Sequence, residues 1–421
     1  MDNRLSRLSA GLCLSSMLLY VVWLLLPAVQ TTLGAAAGCL CVALFALGVV
    51  VDWPYFAAHW LSLLGRAACA LVMPLALRVF VGRGGPNALG FYVQQVMFWF
   101  PLIFAGYARE KGDRRLWRLL KWVLGAAVLV TLCTTIGWLI EGMTRGGRVY
   151  AYSRSLGFAG EGREAYLKEL MLRNIGGYDF VYAMVAALPL TCLLIQRTAG
   201  WKRAAFSVLL ALEAIMIVLS QYTYAMLFAA GILLVEGIAL FIRWISRGKA
   251  GLGASLLWAL TPFVLAFLLR KPLVMLAADV CTRLGLTNFA FSFEQLLLAL
   301  QGQATSADSR LGYYLIAADG FASSPLVGSL FGGEKLLSGH SDLLDLLSGT
   351  GLAGTLAACG MIYVMGRGLL RGVRHHPHRA QLVVMAAAVA VTSLLGTVVY
   401  SRDIMAVTAL GTLLVLEGEI P

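Results

Sequence analysis

MDNRLSRLSAGLCLSSMLLYVVWLLLPAV, residues 1–29, sets Arg4 and Arg7 in front of a stretch, Ala10 to Val29, that carries no charged side chain. A helix needs roughly 20 apolar residues to cross the hydrocarbon of a bilayer. The opening resembles a signal peptide, but its apolar stretch is long and no small-residue cleavage site follows, so it reads as a retained first span.

The same pattern recurs along the chain. Apolar runs fall at 10–29, 33–51, 60–80, 88–107, 117–140, 179–196, 203–220, 222–242, 252–269, 347–366, 381–399 and 403–418. Composition agrees, with 60% of the 421 residues hydrophobic and 13% charged. Soluble domains run at roughly 45–50% and about 25% respectively, so lipid must be the solvent. An open sheet would leave backbone groups without partners in hydrocarbon. A β-barrel would show short alternating segments rather than these long runs. The predicted fold is an all-α polytopic membrane protein, one integral domain over residues 1–421, with about twelve spans.

Basic segments orient the spans. Arg4 and Arg7 precede the first, REKGDRRLWRLLK (109–121) follows the fourth, RWISRGK (243–249) the eighth and RGLLRGVRHHPHR (367–379) the tenth. If every run crosses once, all four lie on one side, which the positive-inside rule makes cytoplasmic. Both termini are then cytoplasmic. The formal charge of +12 follows from these loops meeting an acidic leaflet, and no nucleic-acid partner is needed to explain it. The eight cysteines form no CxxC pair, which leaves neither a zinc site nor a disulfide framework.

Two segments on the other side are too long for simple turns, 141–178 and 270–346. Long loops in compact proteins are usually functional. The second holds KPLVMLAADVCTRLGL and FSFEQLLLALQ, too short and too charged to span, with the character of interfacial amphipathic helices. It also holds Arg310, opening a helix-spaced apolar stretch that ends at Ser323-Ser324-Pro325. An arginine there can grip phosphate bidentately, although snorkelling to headgroups is its commoner fate. His340 is the one histidine assigned to this side, and a neutral imidazole is a natural proton acceptor.

These residues resemble the bacterial O-antigen ligase and polymerase family. The pattern runs Arg310, then Pro325-Leu326-Val327-Gly328, then His340-Ser341-Asp342-Leu343-Leu344, then Gly351-Leu352-Ala353-Gly354. RNIGGYDFVYAMVAALPL (173–190) is similar to the family's asparagine-bearing entry into a span ending Leu-Pro-Leu. Two departures stand out. Serine follows the histidine where asparagine is common, and Tyr222-Thr223 occupies the turn where members often carry Ser-Arg.

The resemblance implies transfer of a glycan from an undecaprenyl diphosphate carrier to a hydroxyl acceptor, outside a bacterial plasma membrane. His340 would be the base and Arg310 would hold the departing diphosphate, with no metal and no cofactor. Arg173, Arg154 or Arg402 would supply the charge missing at the Tyr222-Thr223 turn. Asp342, with Asp345, would orient His340 or cap the tenth span, the capping role suiting acidic groups at a helix N-terminus. Partners would be the carrier-linked glycan, its acceptor and the bilayer. Polymerase and ligase share these motifs. A twelve-span transporter or flippase for lipid-linked sugars is the alternative from another class. Glu213 and Glu236 are the carboxylates it would find within spans. A noncatalytic assembly protein would leave His340 and Arg310 dispensable.

Overall fold

A computed structural model describes residues 3–59, 65, 99–108, 114–146, 164–247, 270–283, 287–301, 306–329, 340–375, 379–395 and 401–417. Among the described residues there is helix and no strand. In chain order the helices are α1 (Asn3–Leu25), α2 (Pro27–Val51), α3 (Trp53–Ala58), α4 (Trp99–Ala108) and α5 (Arg114–Gly146). Then come α6 (Glu164–Leu172), α7 (Tyr178–Arg197), α8 (Gly200–Ser220), α9 (Thr223–Arg247) and α10 (Arg270–Arg283). The last are α11 (Thr287–Leu300), α12 (Ser306–Ser323), α13 (Asp342–His375), α14 (Arg379–Leu395) and α15 (Arg402–Glu417).

Six of these, α1, α2, α5, α7, α8 and α13, are long and apolar enough to cross a membrane. The chain is an all-α membrane protein. The expected runs at 60–80 and 252–269 lie largely outside the described residues, as does the first part of 88–107.

What the helices turn outward tells the same story. On α2, Leu33, Leu40 and Leu47 are exposed at sevenfold spacing, and on α8 so are Trp201, Val208 and Ile215. A surface helix of a soluble protein puts polar residues on that face. Here leucine and tryptophan face out, as they do where lipid is the solvent.

Inside, helices approach through small residues, the usual device of membrane bundles. Ser9 donates a hydrogen bond to the Gly48 carbonyl at 2.7 Å, and Ser16 donates to that of Cys41. A Cβ on Gly48 would sit 2.6 Å from Cys13 Sγ. At the centre lies α7, buried almost continuously from Phe180 to Leu193 and packed by α8, α9, α14 and α15. Arg197 at its end donates to the Val415 carbonyl of α15 at 3.3 Å, a cation where a helix C-terminus favours one.

Within 270–346, α10 and α11 form a hairpin whose small contact cluster, Cys281 and Ala290, rests on Met226 of α9. They coincide with the two stretches expected to be amphipathic helices, and Leu273, Met275, Leu276, Phe291 and Leu296 are exposed on them. Burial pushes the Cys281 thiol up, away from thiolate reactivity.

Candidate functional site

Two places draw together the residues singled out from sequence. One is the junction of α12 and α13. The helix α12 stops at Ser323, and residues 324–329 turn back. Meanwhile α13 is broken at Gly351 (φ 61°, ψ −167°). Such a break frees backbone N–H groups, which low-dielectric surroundings make costly. Two of them find partners on the turn: Leu352 N–H donates to the Pro325 carbonyl at 2.9 Å, and Ala353 N–H to that of Leu326 at 3.0 Å.

Glycine makes this contact possible from both sides. A Cβ on Gly351 would lie 2.4 Å from the Leu326–Val327 backbone. One on Gly328 (φ 57°) would lie 2.5 Å from the Thr350 nitrogen. Left-handed φ and backbone-to-backbone approach are the two conditions that call for glycine. The Pro325–Gly328 turn and the Gly351–Gly354 segment are therefore one interlocked unit.

Ser341 is buried, and its Oγ accepts the Leu344 N–H at 3.2 Å, so the serine is the N-cap of α13. The aspartates, expected to orient His340 or to cap the span, stand in its first turn: Asp342 is the first helical residue and Asp345 is buried, where carboxylates suit the helix terminus.

His340, just before the cap, is exposed, with its ring centroid 4.8 Å from that of Tyr313 on α12. Arg310 precedes Tyr313 by three positions in the same helix, a spacing that shares one face. The Arg310 side chain lies outside the described residues.

The second place is where the α1–α2 corner, α6, and the starts of α7 and α15 meet. Asn174 holds it together in a left-handed conformation (φ 60°), which asparagine tolerates better than most. Its side chain donates to Thr131 Oγ1 at 2.8 Å and accepts the Ala28 N–H at 3.4 Å. Thr131 in turn donates to the Leu25 carbonyl at 2.6 Å, Thr134 donates to the Asn174 carbonyl at 2.6 Å, and Thr135 accepts the Gly176 N–H at 2.8 Å. Three threonines of α5 thus satisfy the backbone at two chain corners. The threonines were not singled out from sequence. Their one signal was spacing, since positions 131, 134 and 135 lie on one helical face.

Beside this node lies a cavity of about 380 Å³. Its polar lining includes Asp179 from the first turn of α7 and Arg402 and Asp403 from the first turn of α15; apolar residues of α1, α2 and α6 complete it. The Arg402 guanidinium lies 5.1 Å from the centroid of Trp23. The Trp23 indole donates to the Gly34 carbonyl, at the break in α2, at 2.9 Å.

Tyr222, from the turn that departs from the family pattern, packs edge-on against Tyr178 with centroids 5.0 Å apart. Tyr178 lines the cavity, so this turn and Arg402 belong to one neighbourhood. Arg173 is exposed and paired to Glu169 at 2.6 Å. Arg154 lies outside the described residues.

A scan against protein-family models and a search of curated proteins each give no match to this chain.

Proposed function

We propose that the chain is a metal-independent membrane glycosyltransferase of the O-antigen ligase or polymerase type, with about twelve spans. It moves a glycan from undecaprenyl diphosphate to a hydroxyl acceptor at the outer face of a bacterial plasma membrane. The observation that supports it is the interlock of the Pro325–Gly328 turn with the Gly351 break. Two short motifs that define the resemblance are a single packed unit, and at the other end of the same helix pair His340 packs on Tyr313 of the helix that carries Arg310.

In this reading His340 takes the proton of the acceptor hydroxyl as its oxygen attacks the anomeric carbon. The bond from that carbon to the diphosphate oxygen breaks, and the departing diphosphate takes the electron pair. Arg310 stabilises the charge that develops there, and one displacement inverts the anomeric configuration. The exposure of His340 suits a base that must meet a diffusing acceptor.

The test is transfer in proteoliposomes loaded with glycan-charged undecaprenyl diphosphate. His340→Ala is expected to lower the rate about 10²- to 10⁴-fold while unfolding like the parent, since an exposed residue contributes little to stability. Full activity in both His340→Ala and Arg310→Ala sinks the mechanism.

A transporter reading has one observation in its favour. Glu213 is buried and accepts from Thr191 at 3.0 Å, Gln196 donates to Glu236 at 3.4 Å, and Gln381 donates to Gln196 at 3.4 Å. Carboxylates in such positions often serve ion or substrate pathways. Glu213→Gln and Glu236→Gln separate the readings, because transfer tolerates both changes and coupled transport does not.

A further inference from the structure

The polar lining of the 380 Å³ cavity is unlike that of a diphosphate site. It sets two carboxylates, Asp179 and Asp403, against one guanidinium, and both interact electrostatically with Arg402. The arginine is further occupied by the face of Trp23. An incoming anion would meet a cation already countered by acidic side chains. Phosphate recognition calls for the opposite balance.

The same residues suit a neutral, hydroxyl-rich ligand. Each carboxylate can accept two or more hydroxyl donors, arginine donates in a fixed fork, and Gln30 and Tyr178, which also line the cavity, can do either. Leu167 and the other apolar residues facing them offer a surface for the flat faces of sugar rings. The volume falls in the range of small-ligand sites, roughly 300–1,000 Å³. The Asn174–threonine node keeps the cavity preformed, because it ties α1, α2 and α5 to the entry of α7.

We propose that this cavity binds a sugar of the glycan through Asp179, Asp403 and Arg402, as the acceptor-recognition site of the enzyme. The inference rests on the glycosyltransferase reading for the word acceptor, but sugar binding itself does not require it. Arg402 then serves hydroxyl recognition rather than the diphosphate.

Saturation-transfer-difference NMR tests it, using the full chain in nanodiscs with no carrier lipid present. The probes are the methyl glycosides of glucose, galactose, N-acetylglucosamine and rhamnose. Wild-type protein is expected to saturate the ring protons of at least one. Asp403→Asn and Leu167→Trp are each expected to weaken that binding about tenfold. Leu167→Trp fills the cavity without touching its charges, so it remains informative if the aspartate variant does not fold. Silence from all four sugars, or binding unchanged in a folded Leu167→Trp, overturns the inference, as does displacement of the sugar by inorganic pyrophosphate. Active transfer without sugar binding sinks the cavity alone. Sugar binding in a protein that never transfers sinks the enzyme reading and leaves the cavity.

Discussion

Asn174 and Gly351 answer the same physical demand in different ways. Each stands at positive φ where helical backbone is interrupted, and each must find partners for exposed N–H and C=O groups. At Asn174 the partners are side chains, namely the amide itself and three threonine hydroxyls of α5. At Gly351 the partner is another stretch of backbone, admitted because both Gly328 and Gly351 lack a Cβ. A side-chain node can be trimmed one bond at a time, whereas a backbone interlock fits or fails as a whole.

The largest effect is therefore expected at the interlock. Gly351→Ala meets a backbone conformation (φ 61°, ψ −167°) essentially reserved to glycine, a strain of about 1–3 kcal/mol. It also sets a methyl 2.4 Å from the Leu326–Val327 backbone, overpacking that costs about 1–3 kcal/mol. Backbone cannot swing aside as a side chain does. Gly328→Ala meets a positive φ and the same close backbone approach from the other side. Chemical unfolding in detergent should show both variants strongly destabilised. A parent-like midpoint for either would break the comparison.

The next effect is at the node. Asn174→Ala removes the bonds to Thr131 and Ala28 and places alanine at φ 60°, for a loss of about 2 kcal/mol. Asn174→Gly keeps the conformation and loses only the bonds, so it should fall between the parent and alanine. If glycine is as damaging as alanine, conformation contributes nothing here and the hydrogen bonds account for the whole effect.

How much of this was legible before folding divides along similar lines. Apolar runs near 20 residues announced α1, α2, α5, α7, α8 and α13, because span length is a local property set by the bilayer. The breaks were not legible. The run read at 347–366 continues through Gly351, and the partner that makes a break tolerable there lies at 325–326. At the first corner the run was read to Val29, whereas α1 ends at Leu25 and Pro27 opens a short segment before the Gly34 break.

At the candidate site the motif residues and their order stood out through resemblance to a known family. Their contact did not, nor did the role of Ser341, which looked like a mere departure from asparagine. The cavity was out of reach from sequence. It is assembled from residues near 24–30, 167–179 and 402–403, and packing of α15 on α7 and α1, with α6 on α2, unites them.

A smaller effect is expected at Ser341. Its hydroxyl caps α13, and Ser341→Ala should cost about 1 kcal/mol, read as a modest drop in unfolding midpoint. The comparison is sharpened by activity. If His340 depends on this cap for position, transfer should fall further than the lost stability accounts for at saturating acceptor. An equal fall in both means that the histidine does not depend on this cap for its position.

Arg173→Ala should have the least effect on stability, and for that reason it reports most clearly on function. The residue adjoins Asn174 in sequence but makes none of the node's hydrogen bonds; its partner Glu169 sits one turn back, and the two side chains are 57% and 56% exposed. Exposed pairs of this kind contribute about 0–1 kcal/mol, so unfolding should not move measurably. Any change in transfer then belongs to a ligand. A rise in carrier-lipid KM that shrinks as salt is raised would mark Arg173 as a screened contact to the diphosphate, the charge that Tyr222-Thr223 does not supply. Unchanged kinetics across salt would remove it from that role and leave the diphosphate to the α12 side of the molecule, with Arg310.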